Sequence, residues 1–298
     1  MGEVRVGITA WTEKTLIEES DFYPKDMKTA EARLRHYASQ FPVVEVDSTF
    51  YGMPSERNAV LWHERTPADF DFHVKAFALL TGHPTRPEAL VKDVREALPE
   101  AVRKKRTVYA KDLPEELLTE VWERFREALM PLHSAGKLVA ILFQFPPWFV
   151  ISRRSKEEIV RAKERLPDYR IVVELRHKTW MEERNREETL AFLAGHDIPY
   201  VAVDMPQGFD NSLPPVAEAT SKGLAVVRFH GRNEETWTKR VKTAAERFNY
   251  LYDEKELREW VPKVKALQEE AKETHVLFNN CYRDYAVQNA RQLAALLE

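Results

Sequence analysis

The sequence predicts an eight-stranded α/β barrel of the TIM, (β/α)8, type. Short apolar runs recur eight times along the chain. Charged segments with helical periodicity separate them, which is the pattern of repeated βα units around a parallel sheet. Two of the runs, 138–143 and 171–173, are apolar at almost every position, as strands covered on both faces must be. The 298 residues would suit two domains or one barrel of about 250 residues with enlarged loops. No linker rich in Gly, Pro or Ser divides the chain, so the reading is a single TIM-barrel domain over 1–298.

In chain order, the first strand spans 3–10. A helix over 29–40 begins behind Thr29, with Glu31 in its first turn, where an acidic side chain suits the helix dipole. Strands at 43–50 and 71–77 follow. The helix at 114–130 opens with Pro114, Glu115 and Glu116, a favourable first turn, and leads to a strand at 138–145. A helix at 155–166 has Ser155 as its expected N-cap and Glu158 three residues on, a capping-box pattern. Then come a strand at 170–176, a helix at 186–196, and strands at 200–205 and 223–231. A helix at 253–272, a strand at 273–280 and a helix at 284–297 complete the set. Two connections are longer than a barrel needs. They are 82–113, read as an inserted loop and helix segment, and 231–252. Both follow the C-terminal ends of strands, the face on which barrels build active sites.

Composition removes several classes of function. The 45 Lys+Arg against 48 Asp+Glu give a net charge of −3, so nothing draws the whole molecule to nucleic acid or acidic membranes. One cysteine, Cys281, excludes an intrachain disulfide framework and a Cys-rich zinc site. A hydrophobic content of 44% excludes wholesale disorder. Charged residues at 31% with only 9 glycines point to a heat-stable protein. Residues 1–10 lack the long apolar core of a signal peptide. The longest apolar stretch, 138–151, is broken by Gln144, Pro146 and Pro147, too short for a membrane span. The expectation is a cytoplasmic protein with no membrane partner.

The informative pattern is where strands turn polar. Glu45, Asp47 and Thr49 alternate in the second strand, Lys75 nears the end of the third and Gln144 ends the fourth. Glu174 and Arg176 share one parity in the fifth, Asp204 ends the sixth, Arg228 and His230 share one parity in the seventh, and Asn279 and Asn280 end the eighth. Residues two apart in a strand point the same way. Charges near a core are costly unless paired. Two explanations compete: a salt-bridge network that merely closes the barrel, and a pocket at its C-terminal mouth.

These blocks resemble a known family. Glu45-Val46-Asp47-Ser48-Thr49-Phe50-Tyr51 followed by Pro54 is similar to the signature block of the "domain of unknown function 72" family, also called YecE-like. Gly7 with Trp11, then Phe22-Tyr23-Pro24, resembles its N-terminal block. Thr66-Pro67 with Phe70, Phe72, Val74 and Lys75 resembles its third. Phe143-Gln144-Phe145-Pro146-Pro147, Glu174-Leu175-Arg176-His177 with Trp180, and Arg228-Phe229-His230-Gly231-Arg232 continue in order, then Phe278-Asn279-Asn280 with Ala286, Asn289 and Ala290. Ala10 departs from the pattern, standing where a glycine is common. The resemblance spans essentially the whole chain and implies a TIM barrel. It implies no reaction, because the family is named for an unassigned function.

Three readings of the site follow from the residues. In the first, Glu45, Glu174, Asp204 and His230 hold a divalent metal that activates water for hydrolase or lyase chemistry. Lys75, Arg176 and Arg228 at the same strand ends oppose that, and no spaced metal motif occurs. In the second, favoured reading, no metal or cofactor is used. Lys75, Arg176 and Arg228 bind an anion, with Glu174, Asp204 and Glu45 as acid–base carboxylates and His230 as a proton carrier. Arg232, Asn279, Asn280, Trp11, Tyr51, Trp180 and Trp237 complete the expected substrate contacts. The substrate is then an anionic or polyhydroxyl small molecule. Two carboxylates would also serve a glycosidase.

The third reading is a non-catalytic binder of nucleic acid or a phosphorylated ligand. It rests on Arg232, Lys239, Arg240, Lys242 and Arg247, interleaved with Trp237, Phe248, Tyr250 and Tyr252, and on Arg103, Lys104, Lys105, Arg106, Tyr109 and Lys111. Its competitor has the basic groups on solvated faces and the aromatics packed on the barrel rim. Trp62 and Trp260 fit helix core faces. His36, His63, His133, His196 and His275 have no matched partner in the sequence, and Cys281 has no adjacent activating His.

Overall fold

The computed structural model describes residues 1–298. Its eight strands are β1 (Glu3–Thr9), β2 (Val43–Val46), β3 (Asp71–Lys75), β4 (Leu138–Gln144), β5 (Ile171–Glu174), β6 (Val201–Asp204), β7 (Leu224–Phe229) and β8 (Glu273–Phe278). All pair in parallel, in the order β5-β4-β3-β2-β1-β8-β7-β6. The ring nearly closes between β5 and β6, where Val173 bridges Tyr200 and the Val173 N–H donates to the Pro199 carbonyl at 3.0 Å. Helices alternate with the strands, so the fold is the expected (β/α)8 barrel.

Several boundaries differ from the sequence reading, each for a local reason. The strand expected over 43–50 stops at Val46. Asp47 adopts a helical conformation and opens a single 3₁₀ turn, Ser48–Phe50. The Thr49 hydroxyl donates to the Val46 and Lys75 carbonyls, holding that turn on the strand ends. The helix expected from Ser155 begins at Arg153, because Ser152 is the cap. Its Oγ accepts from the Ser155 N–H at 3.0 Å, while buried Ser155 donates to the Val150 carbonyl. A helix at Glu56–Glu64, absent from the sequence reading, is capped by Ser55 and lays Trp62 against Phe72.

The other expected helices are present, at Ala30–Ala38, Glu115–Ala128, Glu183–Gly195, Glu254–Glu270 and Tyr285–Leu297. Glu254–Glu270 carries a full capping box between Asp253 and Glu256. The segment 82–113 forms the short helices Lys92–Ala97 and Glu100–Arg103, closed by a Thr85–Val108 bridge. The segment 231–252 contains Glu234–Trp237 and Ala244–Arg247. No helix is long and apolar enough to cross a membrane.

Three residues of the family-like blocks are explained by the backbone. A Cβ on Gly7 would lie 2.1 Å from the Val43 carbonyl oxygen, so β1 and β2 approach too closely for any side chain there. Gly231 has φ +83, and a Cβ would meet that of Tyr250 at 2.7 Å. Ala10 has φ +56, in the left-handed region where glycine is unstrained, a physical reason for the glycine that the family resemblance implies there.

Register decides which side chains enter the barrel. Thr9 pairs with Glu45, Glu45 with His73, Lys75 with Leu142, and Gln144 with Glu174. On the other half Val203 pairs with Arg228, Arg228 with Leu277, and Val226 with His275. Those positions share the inner face. Asp204 pairs with Phe229, and Phe229 with Phe278, which puts Asp204 on the opposite face, under the helices.

Candidate functional site

The inner face carries a buried ion network at the C-terminal end of the barrel. Arg228 is its centre and is 1% exposed. Its Nη2 donates to Glu45 Oε1 at 2.7 Å, and its Nη1 donates to Glu174 Oε2. Arg176 donates from Nη1 to Glu174 Oε1 at 2.9 Å. One guanidinium therefore joins carboxylates from β2 and β5, a bidentate use of geometry that Lys could not reproduce. The Lys75 ammonium forms no ion pair within 4 Å and lies 4.4 Å over the Phe50 ring. Within the cluster three cations (Arg228, Arg176, Lys75) face three carboxylates (Glu45, Glu174 and the half-buried Asp47, whose main charge partner is Lys75), so the formal charges balance.

The protonation states follow from the neighbours. Burial alone would raise the Glu174 carboxyl, but Arg228, His230 and Arg176 together hold it well below the ordinary value. Burial raises Glu45 above the ordinary range, with Arg228 and Lys75 only partly offsetting it. Glu45 Oε2 is buried and has no hydrogen-bond partner. Burial, and secondarily Arg228, lowers Lys75. The two carboxylates thus have different characters: Glu174 is held as an anion, and Glu45 is easier to protonate than an ordinary carboxylate.

His230 is oriented by a relay. The Thr9 hydroxyl donates to Asn279 Oδ1 at 2.7 Å, leaving the Asn279 amide to donate to His230 Nδ1 at 3.0 Å. The ring proton then resides on Nε2, 3.1 Å from Glu174 Oε1. Burial pushes the ring down to about 4. The unfolded chain takes up a proton near 6.5 that the folded ring refuses until about 4. His230 therefore withdraws stability as pH falls from about 6.5 to 4. Replacing it with Asn should make the loss of stability over that interval shallower by up to one proton, about 1.4 kcal/mol per pH unit. Urea unfolding at several pH values reads this directly, and an unchanged slope would contradict it.

The structure separates the expected site residues into groups. Glu45, Lys75, Glu174, Arg176, Arg228, His230 and Asn279 converge. Asp204 does not join them. Its Oδ1 accepts from Arg232 Nε and the Tyr252 hydroxyl, and its Oδ2 accepts from Arg232 Nη2 and the Trp260 indole, all at 2.7–2.9 Å. Four donors fill its acceptor sites, and Arg232 also reaches Glu256 and Glu259. Asp204 and Arg232 pin the helix Glu254–Glu270 to the sheet. Asn280 donates to the Tyr250 carbonyl and Asn289 Oδ1, bracing the 231–252 loop.

The aromatics divide in the same way. Trp180 is fully buried, bonded to the Phe149 carbonyl and stacked on Phe149. Trp11 is buried and edge-on to Trp62, beside a cavity of about 230 Å³ that also touches Asp47. Trp237 roofs the network: the Arg176 guanidinium lies 5.0 Å from its ring, and its indole bonds to Asn211. Tyr51 (66% exposed) and Trp148 (56% exposed) stand at the open rim. Phe50 and His83 lie between them.

Two inward residues escaped the sequence reading. His73 and Thr9 both lie on the inner face, and counting back by two from Lys75 would have found His73. His275, which lacked a partner in the sequence, hydrogen-bonds His73 across the barrel at 2.7 Å.

The basic loops are largely self-engaged. Arg247 donates to the Thr236, Trp237 and Lys239 carbonyls, Lys104 pairs with Glu100, and Lys105 pairs with Asp112. Trp237 and Tyr252 are buried, and Phe248 and Tyr250 pack against the core. No group of three or more His, Cys, Asp or Glu side chains is placed to share a metal ion.

Fold and site together define a (β/α)8 barrel with a buried ion network at its C-terminal mouth. The chain belongs to the family described as "Protein of unknown function DUF72", which it matches over residues 5–298. It is 31% identical over 299 residues to the UPF0759 protein YunF of Bacillus subtilis (strain 168), covering 99% of this chain and 95% of that one. A crystal structure of a DUF72 family protein from Thermotoga maritima MSB8 superposes with a TM-score of 0.77 at 31% identity, covering 99% of both chains. One from Enterococcus faecalis V583 gives 0.79 at 27% identity, covering 99% of this chain and 95% of that one. These likenesses establish the fold and the family, and the relatives' descriptions name no activity.

Proposed function

We propose that the protein is an acid–base enzyme of hydrolase or lyase type, acting on an anionic, polyhydroxylated small molecule at the mouth of the barrel. The observation that carries this is an unpartnered, buried Glu45 oxygen acted on by Lys75, an ammonium that forms no ion pair within 4 Å. A network built only to close the barrel would saturate its acceptors, as Asp204 does.

In this reading Lys75 and Arg176 bind the anionic group of the substrate, and Glu45 moves a proton at the atom beside it. That proton transfer is the elementary step common to lyases and hydrolases. Glu174 does not act as the base. It stays ionised and fixes Arg228, Arg176 and His230 in place. The exposed rim aromatics Tyr51 and Trp148 offer flat apolar faces to a sugar-like ring. Glu45 is then the acid–base group, Glu174 and His230 hold the network around it, and Asp204 stands outside it.

The aromatics of the 231–252 loop face the barrel, which supports a small anion over single-stranded nucleic acid as the ligand. A thermal-shift screen of sugar acids, sugar phosphates, nucleotides and short single-stranded DNA separates these readings. The proposal expects stabilisation by a sugar-sized anion. Stabilisation by oligonucleotides alone, lost when 103–106 or 239–242 are neutralised, would replace the enzyme reading with a nucleic-acid binder.

A further inference from the structure

Below the ion network the barrel interior holds a second set of titratable groups that the proposed chemistry does not use. His73 Nε2 and His275 Nδ1 share a hydrogen bond of 2.7 Å, and both rings are buried. His275 Nε2 lies 3.5 Å from Asp71 Oδ2, at the other end of the barrel, where the Asp71 side chain is 15% exposed. Toward the mouth, His73 is the direct cross-strand neighbour of Glu45, on the same face. Its Nδ1 is buried without a partner, as is Glu45 Oε2. Two links of this line have no hydrogen bond in place: Glu45 to His73, where each side chain has an unpartnered buried atom, and His275 Nε2 to Asp71, which approach to 3.5 Å.

We infer that Asp71, His275 and His73 form a proton relay between solvent at the N-terminal end of the barrel and Glu45 at the site. The inference rests on the proposed role of Glu45. Neutral rings sharing one bond must have the same tautomer: if His73 donates from Nε2, His275 Nδ1 accepts and its own proton sits on Nε2. In one state Glu45 carries a proton facing His73 Nδ1, both rings carry theirs on Nε2, and Asp71 is ionised. A concerted shift breaks the Glu45 O–H, His73 Nε2–H and His275 Nε2–H bonds. It forms His73 Nδ1–H, His275 Nδ1–H and Asp71 O–H. Glu45 is left ionised beside Arg228, with no net change in protons or charge along the line. The reverse shift recharges Glu45, and Asp71 exchanges its proton with solvent.

The surroundings suit the role. Burial pushes His73 down to about 3 and holds His275 well below its ordinary value, so both rings stay neutral near pH 7. Burial raises the Asp71 carboxyl to about 7, against the pull of Arg5 at 3.1 Å and with the help of Glu273, Glu3 and Asp69. Arg228 and Arg170 face His73, and Arg5 and Arg170 face His275. The outer terminus can therefore gain and lose a proton at ordinary pH.

The test is long-range ¹H–¹⁵N NMR on the full chain labelled in histidine, from pH 5 to 9. Both rings should be neutral throughout and share one tautomer. They should switch together, from Nδ1–H below a midpoint near 7 to Nε2–H above it. Asp71→Asn should abolish that midpoint, and Glu45→Gln should shift the tautomer balance. Asp71 lies at the barrel's edge, so its variant keeps the test available if Glu45→Gln does not fold. A charged ring, unlike tautomers, or ring signals indifferent to Asp71→Asn would overturn the relay. A purely structural histidine pair gives the last of these. The measurement uses no substrate, so its failure leaves the anion-binding reading standing, and failure of anion binding leaves the relay standing.

Discussion

Replacing Arg228 with Met is expected to lower the stability of the protein by about 3–5 kcal/mol, the scale for removing one partner of a buried ion pair. Met keeps most of the volume but removes the donors that join Glu45 to Glu174. Both carboxylates are fully buried. Glu174 would retain Arg176, but Glu45 would lose its only hydrogen-bonded partner. The loss should be smaller at acid pH, where Glu45 can protonate and shed the uncompensated charge. Urea unfolding of wild type and variant at pH 5 and 8 checks both parts. A loss below about 1 kcal/mol would mean that the carboxylates are not held as described.

A second large effect is expected at Asp204, outside the site. Asp204→Ala strips the partner from the Trp260 indole, the Tyr252 hydroxyl and two nitrogens of Arg232. Trp260 and Tyr252 are fully buried, and each unsatisfied buried donor costs about 1–3 kcal/mol. The helix Glu254–Glu270 would then lose its attachment to β6. A destabilisation of about 3–5 kcal/mol should appear in urea unfolding, while anion affinity of the folded fraction stays at the wild-type value. Folding left intact with anion binding abolished would instead move Asp204 into the site.

The barrel was legible because its signal is periodic: eight apolar runs alternate with helix-period segments, and the family-like blocks fall at strand ends. Part of the site was legible for a related reason. Charges with shared strand parity, Glu174 with Arg176 and Arg228 with His230, do converge. What the sequence could not supply was register between strands. Asp204 ends β6 just as Lys75 ends β3, yet pairing with Phe229 turns it to the helix side. Arg232 follows it there. His73 and His275 lie 202 positions apart, and only barrel closure makes them neighbours. The helix Glu56–Glu64 was missed because its apolar stripe is short, and its start depends on a single Ser55 cap.

The central question is whether the mouth binds an anion through its two cations, Lys75 and Arg176. The most direct measurement is calorimetric titration of wild type, Lys75→Met and Arg176→Met with the best anion found by the thermal-shift screen. A charge-assisted hydrogen bond contributes about 1.5–3 kcal/mol, so each substitution should weaken binding by roughly 10- to 150-fold. Binding of no anion by the wild type, or binding that both variants retain unchanged, would contradict the proposal and leave Glu45, Arg228 and Glu174 as a network that only closes the barrel.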